Sequence, residues 1–359
     1  MAELDGLAAE VPGPTATLSP EGRTAGTEAG VLLEREEKRG WASRLQAGYA
    51  VMLALLIIFP FVNPSGYALT VLTEILVFGL FALSLDIIMG YTGLPSFGHA
   101  AFFGVGAYAT AIFSAKLGIA NLGVSLIVAV GLAALGAAAV GALAIRTSGV
   151  YFLMLTLAFA QMIYAAAEKW TFLTGGDNGM PGVHKPDLFV PGWTVAQPKP
   201  FYLFILAMFV ICFFVVRRLI HSPFGRSLIG IRENEVRMRA MGYNTRVYKL
   251  VAFILAGGFA GVSGLMYAYY NNFVSPSDVY WTASGTVLLM VLFGGLGSLI
   301  GPVIGAATFL LLQNALSSTT DRWQLVLGLI FVVFILFVRR GIVGLYEQLR
   351  DAVFHGRSA

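Results

Sequence analysis

Two carboxylates, Glu74 and Asp86, fall inside apolar runs of this chain, and an intramembrane acid is where proton or ion chemistry would first be sought. On a helix they lie about 18 Å apart along the axis, too far to form one site. Asp86 sits near the end of its run, where a water-accessible structural role competes with a functional one. Glu74 fits a buried hydrogen-bonding group, or a protonated one, equally well. Neither makes a proton relay without a second partner. His99 follows a glycine and reads as a helix-start hydrogen-bonding group before a ligand. His184, His221 and His355 are scattered over loops and tail with no zinc spacing. Cys212 is the single cysteine, which excludes an intrachain disulfide and a cysteine metal cluster. Gly261-Val262-Ser263-Gly264 matches the nucleophile pattern of intramembrane serine proteases, but the only later histidine is His355. There is no Gly-x-x-x-x-Gly-Lys-Ser/Thr loop, so nucleotide would have to be held by another subunit.

Charge is concentrated elsewhere. The polar loop 217–249 holds eight basic residues and two acids, Glu233 and Glu235, against a net charge of +4 for the whole chain. A short polybasic loop is biased to the cytoplasmic side. Asn234 can cap a helix, Glu235 and Arg239 have the favourable i,i+4 order, and Gly242 can end it in a left-handed conformation. That predicts a two-turn helix from Glu235 to Met241, with Val236 and Ala240 as a small apolar strip flanked by Met241. Such a helix could dock a cytoplasmic protein; the alternative is a solvated loop holding anionic lipid headgroups.

The elements that position these residues are membrane spans. Hydrophobic residues make up 57% of the chain and charged ones 12%, with a mean hydropathy of +0.78; soluble domains carry about a quarter charged residues. The sequence pI of 9.1 does not point to nucleic acid, because the basic residues flank apolar segments. Residues 1–46, with eight acids and five bases, lack a signal-peptide pattern and read as a disordered cytoplasmic tail. About ten spans are expected, at 47–62, 67–89, 98–115, 122–145, 150–167, 201–216 and 251–270, then two within 283–316 broken at Gly294 to Pro302, and one at 323–338. The whole is an all-α integral membrane protein with some broken or short helices. Residues 168–200 form an external loop, NNFVSPSDVYW a turn at a membrane surface, and 341–359 a cytoplasmic tail. With the N-terminus inside, 18 of the 23 basic residues fall on the cytoplasmic side, as the positive-inside rule requires. Glycine and alanine four apart, as in Gly257/Gly261 and Gly297/Gly301/Gly305, predict close helix packing.

Four stretches carry a family resemblance: GYTGLPSFGHAAFFGVGAYAT (90–110), GVYFLMLTLAFAQMIY (149–164), TGGDNGMPGV (174–183) and the run 222–268. In this order and at these separations they resemble the LivM-like permease subunits of bacterial branched-chain amino acid ABC importers, over about residues 67–344. The family often has Asn where this chain has Asp86, and Gly-Gln-Leu-Ser-Leu-Gly-His where it has Gly93 to His99. Related permeases carry urea or amides, so those solutes and sugars stand as alternatives, with a stand-alone secondary transporter or channel as the rival from another class.

The resemblance implies an importer permease fold of the branched-chain amino acid/BtuC-like type in the bacterial inner membrane, with both termini cytoplasmic. It implies a second, similar permease, two cytoplasmic ATPases that hold ATP and magnesium, and a periplasmic solute-binding protein. No cofactor or metal on this chain, and no chemistry on the solute, is expected. Arg232, Glu233, Glu235, Arg239, Ala240 and Gly242 are the expected ATPase-coupling residues. Ser96, His99, Thr156, Glu74 and Asp86 are candidates for the translocation path. Gly175, Gly176, Asp177, Asn178 and Gly179 are candidates for the surface met by the binding protein.

Overall fold

The computed structural model describes residues 65–119, 121–186, 197–338 and 341–345, together with 54, 56–61 and 348. The chain divides into a unit of Met1–Asn63 and a unit of Pro64–Ala359. In the first, residues 56–61 are helical; the rest of the first expected span and the 1–46 tail lie outside the described residues, as does most of 346–359.

The second unit is helical almost throughout. Its helices are α1 (Gly66–Met89), α2 (His99–Ala111), α3 (Leu122–Ala144), α4 (Val150–Lys169), the one-turn α5 (Thr171–Thr174), α6 (Pro198–His221), α7 (Pro223–Glu233), α8 (Glu235–Ala240), α9 (Thr245–Asn271), α10 (Trp281–Gly294), α11 (Gly301–Ser317) and α12 (Trp323–Phe337). Six described helices are long and apolar enough to cross a membrane: α1, α3, α4, α6, α9 and the one beginning at Trp323. The third expected span appears as α2 continued by a π-helical turn, Ile112–Lys116.

Burial separates a centre from a rim. The apolar stretch of α1 is 78% buried and that of α9 67%, against 28% for α3 and 22% for α4. Helices apolar on all sides can be enclosed, and small residues let their backbones meet. A Cβ at Gly264 of α9 would lie 1.9 Å from the Phe103 carbonyl oxygen of α2, so only glycine fits. The neighbouring Ser263 donates to the Val77 carbonyl of α1 at 2.7 Å. That serine, which matches a protease pattern but lacks a later histidine in a span, is a fully buried packing group.

The run 283–316 breaks where expected, into α10 of 14 residues and α11 of 17, each shorter than the roughly 20 residues of a full crossing. The break falls at Gly295 and Gly297, both with positive φ, and Pro302 stands in the first turn of α11. After α9 ends on Asn272 in a left-handed conformation, Phe273–Val274 (β2) pairs antiparallel with Met180–Pro181 (β1), register Met180 to Val274. The chain then enters a 3-10 turn, Pro276–Val279. Val274 and Val279 are fully buried, and Val279 packs on Gly104 of α2. The turn expected at a membrane surface is anchored on the bundle by these two valines, while Asn271, Asn272, Phe273, Ser277 and Trp281 stay exposed. A Ser275/Asp278 capping box holds the turn, and Tyr267 donates to Asp278 at 2.9 Å. Asp278 is a third acid within the bundle; the Ser-x-x-Asp spacing was its only sequence signal.

Candidate functional site

The segment 217–249, expected as a loop, is the last turn of α6, the two short helices α7 and α8, and the first turn of α9, at one end of the bundle. Ser222 caps α7 by accepting from the Gly225 amide at 3.3 Å, with Pro223 in the first turn. Asn234 caps α8 by accepting from the Arg237 amide at 2.9 Å, and Gly242 takes φ +88°. The expected helix is therefore present, ending one residue earlier, and a second helix, α7, precedes it. The Ser-Pro pair at its start is a helix-initiation signal. Val236 is 75% exposed and Met241 57%, with Ala240 also exposed, whereas Met238 is buried at 7%. The apolar strip thus faces outward, and Met238 roots the helix by packing at Gly230 of α7.

Glu235 does not face outward. Its carboxylate accepts from Lys249 at 2.6 Å, Arg239 at 2.7 Å and Thr245 at 2.9 Å. Burial alone would push this carboxyl up; the hydrogen bonds from Lys249, Arg239 and Thr245 outweigh it and hold it down at about 2. Charge-assisted bonds to a half-buried carboxylate have this effect. Glu235 thereby ties α8 to the start of α9. Glu233 is exposed.

Arg232, an exposed residue in the last turn of α7, donates through Nη1 to the Gly90 carbonyl at the end of α1. There Asp86, wholly buried, accepts through Oδ1 from the Gly297 amide at 2.9 Å. Gly297 belongs to the link between α10 and α11, and a backbone amide freed by a broken helix needs such a partner. Asp86 therefore caps the helix break, a structural role as one alternative had it, but from a buried position and not the water-accessible one expected.

Of the other path candidates, Ser96, His99 and Thr156 are each at most 1% exposed. Ser96 accepts from the Gly98 amide at 3.2 Å, Thr156 bonds the Leu153 carbonyl at 2.9 Å, and His99 Nε2 pairs with Ser84 Oγ at 2.8 Å. Only the His99–Ser84 bond joins the start of α2 to α1; the Ser96 bond is local to the loop before α2, and that of Thr156 lies within α4. Glu74 is half-buried and differs: it bonds Tyr270 and opens on a cavity of about 400 Å³ shared with Thr286, Gln313, Gln324 and Phe331. The structure does not bring it to Asp86. Among the described residues, no three His, Cys, Asp or Glu come together as metal ligands.

At the opposite end, residues 187–196 of the 168–200 loop lie outside the described residues. The remainder is braced by Ser114, which donates to the His184 carbonyl at 2.9 Å and accepts from its amide at 2.8 Å. Gly175 and Gly179 form a tight turn in which a Cβ at Gly175 would meet the Gly179 carbonyl oxygen at 2.1 Å. Gly176 and Gly179 are buried and Gly175 half-buried, which leaves Asp177 and Asn178 as the exposed members of that set. Phe172, 89% exposed, stands beside them in sequence.

A bundle of apolar, partly broken helices with a charged, apolar-tipped helix pair at one end is the architecture of a multi-pass transport component. Residues 67–337 match the family of permease components of branched-chain amino acid transport systems, and the chain belongs to that family. It is similar to the high-affinity branched-chain amino acid transport permease LivM of Escherichia coli K12, 27% identical over 86% of this chain and 78% of that protein. LivM of Salmonella typhimurium LT2 is also 27% identical, over 81% and 74%. The autoinducer 2 import permease LsrC of Photorhabdus laumondii is 27% identical over 40% and 41%. No solved structure matches.

Proposed function

We propose that this chain forms half of the translocation path of an ATP-driven importer for branched-chain amino acids in the bacterial inner membrane. A second, similar permease forms the other half, two ATPases dock on the α7–α8 end at the cytoplasmic face, and a periplasmic solute-binding protein meets the opposite end near Asp177 and Asn178. ATP binding and hydrolysis take place on the ATPases, and the path alternates between two openings as the docked helices move. The observation that carries the reading is the exposed strip Val236, Ala240 and Met241 on a capped helix within the basic loop. Apolar side chains with charges beside them suit a groove in a soluble partner. The solute follows the LivM relatives, which match most of the chain.

Purification of the tagged chain in mild detergent, with mass spectrometry of its companions, tests the assembly. A second permease and two ATPases are expected; the chain alone, after crosslinking, would remove the importer reading. Val236→Asp with Met241→Asp should release the ATPases without unfolding the chain, and retained ATP-dependent uptake would remove the docking assignment. Competition of uptake by leucine, urea and ribose tests the solute, and inhibition by ribose alone would exclude amino acids.

A further inference from the structure

The docking helices are tied to the bundle at Glu235 and at Arg232, and the second tie crosses more of the fold. The Arg232 side chain runs beside Gly93, whose Cβ position lies 3.1 Å from Cγ, and beside Gly297, whose Cβ position lies 3.0 Å from Nη1. Both glycines have positive φ, +77° and +73°, so a side chain at either is strained and crowds the arginine. The arm ends on the Gly90 carbonyl. Gly90 itself is enclosed: a Cβ there would lie 2.0 Å from Asp86 Oδ1 and 2.5 Å from the Gly297 amide nitrogen. One layer thus joins the end of α7, the end of α1 and the α10–α11 link, with the buried Asp86 carboxylate in Coulombic reach of the Arg232 guanidinium.

We infer that Arg232 is a positioning residue that transmits movement of the docked α7–α8 pair to α1 and to the α10–α11 break, and so couples ATP hydrolysis to opening of the path. The inference rests on the importer reading above and names the residue through which it works. Three observations support transmission over simple anchorage. The contact is made to backbone atoms, so it moves helices and not side chains. It bridges residues 142 apart in sequence, across helices that share no loop with α7. The joint also sits on the break between two half-helices, where a bundle yields most readily.

The complete importer, reconstituted in liposomes, gives the test through solute moved per ATP hydrolysed. Arg232→Gln should keep both ATPases bound and leave thermal stability near wild type, yet lower this ratio roughly tenfold, within the usual range of coupling between sites. Arg232→Lys, which restores a cationic donor, should recover much of it. A wild-type ratio in Arg232→Gln overturns the inference, and so does release of the ATPases, which would make Arg232 a docking residue. A wild-type chain that retains no ATPase instead defeats the importer reading, a distinguishable failure. A second measurement leaves Arg232 in place: spin labels on cysteines at Glu233 and Leu296, both exposed, in a Cys212→Ser background. Their separation should stay constant between nucleotide-free and ATP-bound states. A shift of about one helical turn, 5.4 Å, would show that the two segments move apart and overturn the transmission.

Discussion

The Glu235 joint is made of side chains and charge, whereas the Arg232 joint rests on backbone atoms packed among glycines. The first gathers three donors on one half-buried carboxylate and can loosen one bond at a time. The second places a guanidinium on a carbonyl and a buried carboxylate on an amide, with no room for an added methyl group. The contrast teaches that ends of a bundle can be linked by partly exposed charge, which pH and salt can tune, or by polar groups enclosed among backbone atoms, where an added methyl group disturbs the joint as surely as a lost charge.

Substitutions can break that contrast in order of size. Gly90→Ala should have the largest effect, about 3 kcal/mol or more, because its methyl group must displace either a buried carboxylate or the amide that it caps; loss of monodisperse protein and a lowered unfolding temperature would register it. Lys249→Ala should cost about 2 kcal/mol, since it removes a buried charge-assisted donor while Arg239 and Thr245 remain. Unfolding of wild type and variant in the same detergent measures it, and equal stability would make the joint ornamental.

The pH dependence is smaller and has a fixed sign. With its carboxyl lowered from 4.5 to about 2 in the folded chain, Glu235 contributes stability that is fully present above pH 4.5 and lost as pH falls towards 2. The stability gap between wild type and Glu235→Gln should therefore be flat at neutral pH and close within that acid window. A gap that closed near neutrality would point to another group. Arg239→Ala should have the least effect, about 0.3–0.5 kcal/mol and weaker in high salt, as for an exposed i,i+4 pair.

Much of the Glu235 joint was legible in sequence, because it is local. The Asn234 cap, the Glu235–Arg239 spacing and the left-handed Gly242 act within a few residues, and each appears as read. The outward strip of Val236, Ala240 and Met241 followed from the same helical spacing. What failed to show was direction: Glu235 turns to Lys249, fourteen residues on, which no pattern within α8 reveals. The Arg232 joint was invisible, since its partners are backbone atoms in two distant segments. Spans were readable from apolar length, but the anchoring of the turn before α10 was not, because its proline and aromatics look alike at a surface and against a bundle. Ser96, His99 and Thr156 were polar residues in apolar runs, and their bonds to nearby backbone and to Ser84 explain them without an open path.

The bond between Asp86 and Gly297 also bears on how the chain is made. The carboxylate leaves the ribosome 211 residues before the amide it caps, an interval on the order of ten to forty seconds at about 5–20 residues per second. Throughout that interval the Asp86 carboxyl lacks the Gly297 amide, so the final packing at the end of α1 comes late in synthesis. A chain truncated before Gly297 would keep most of its spans and lack that closure.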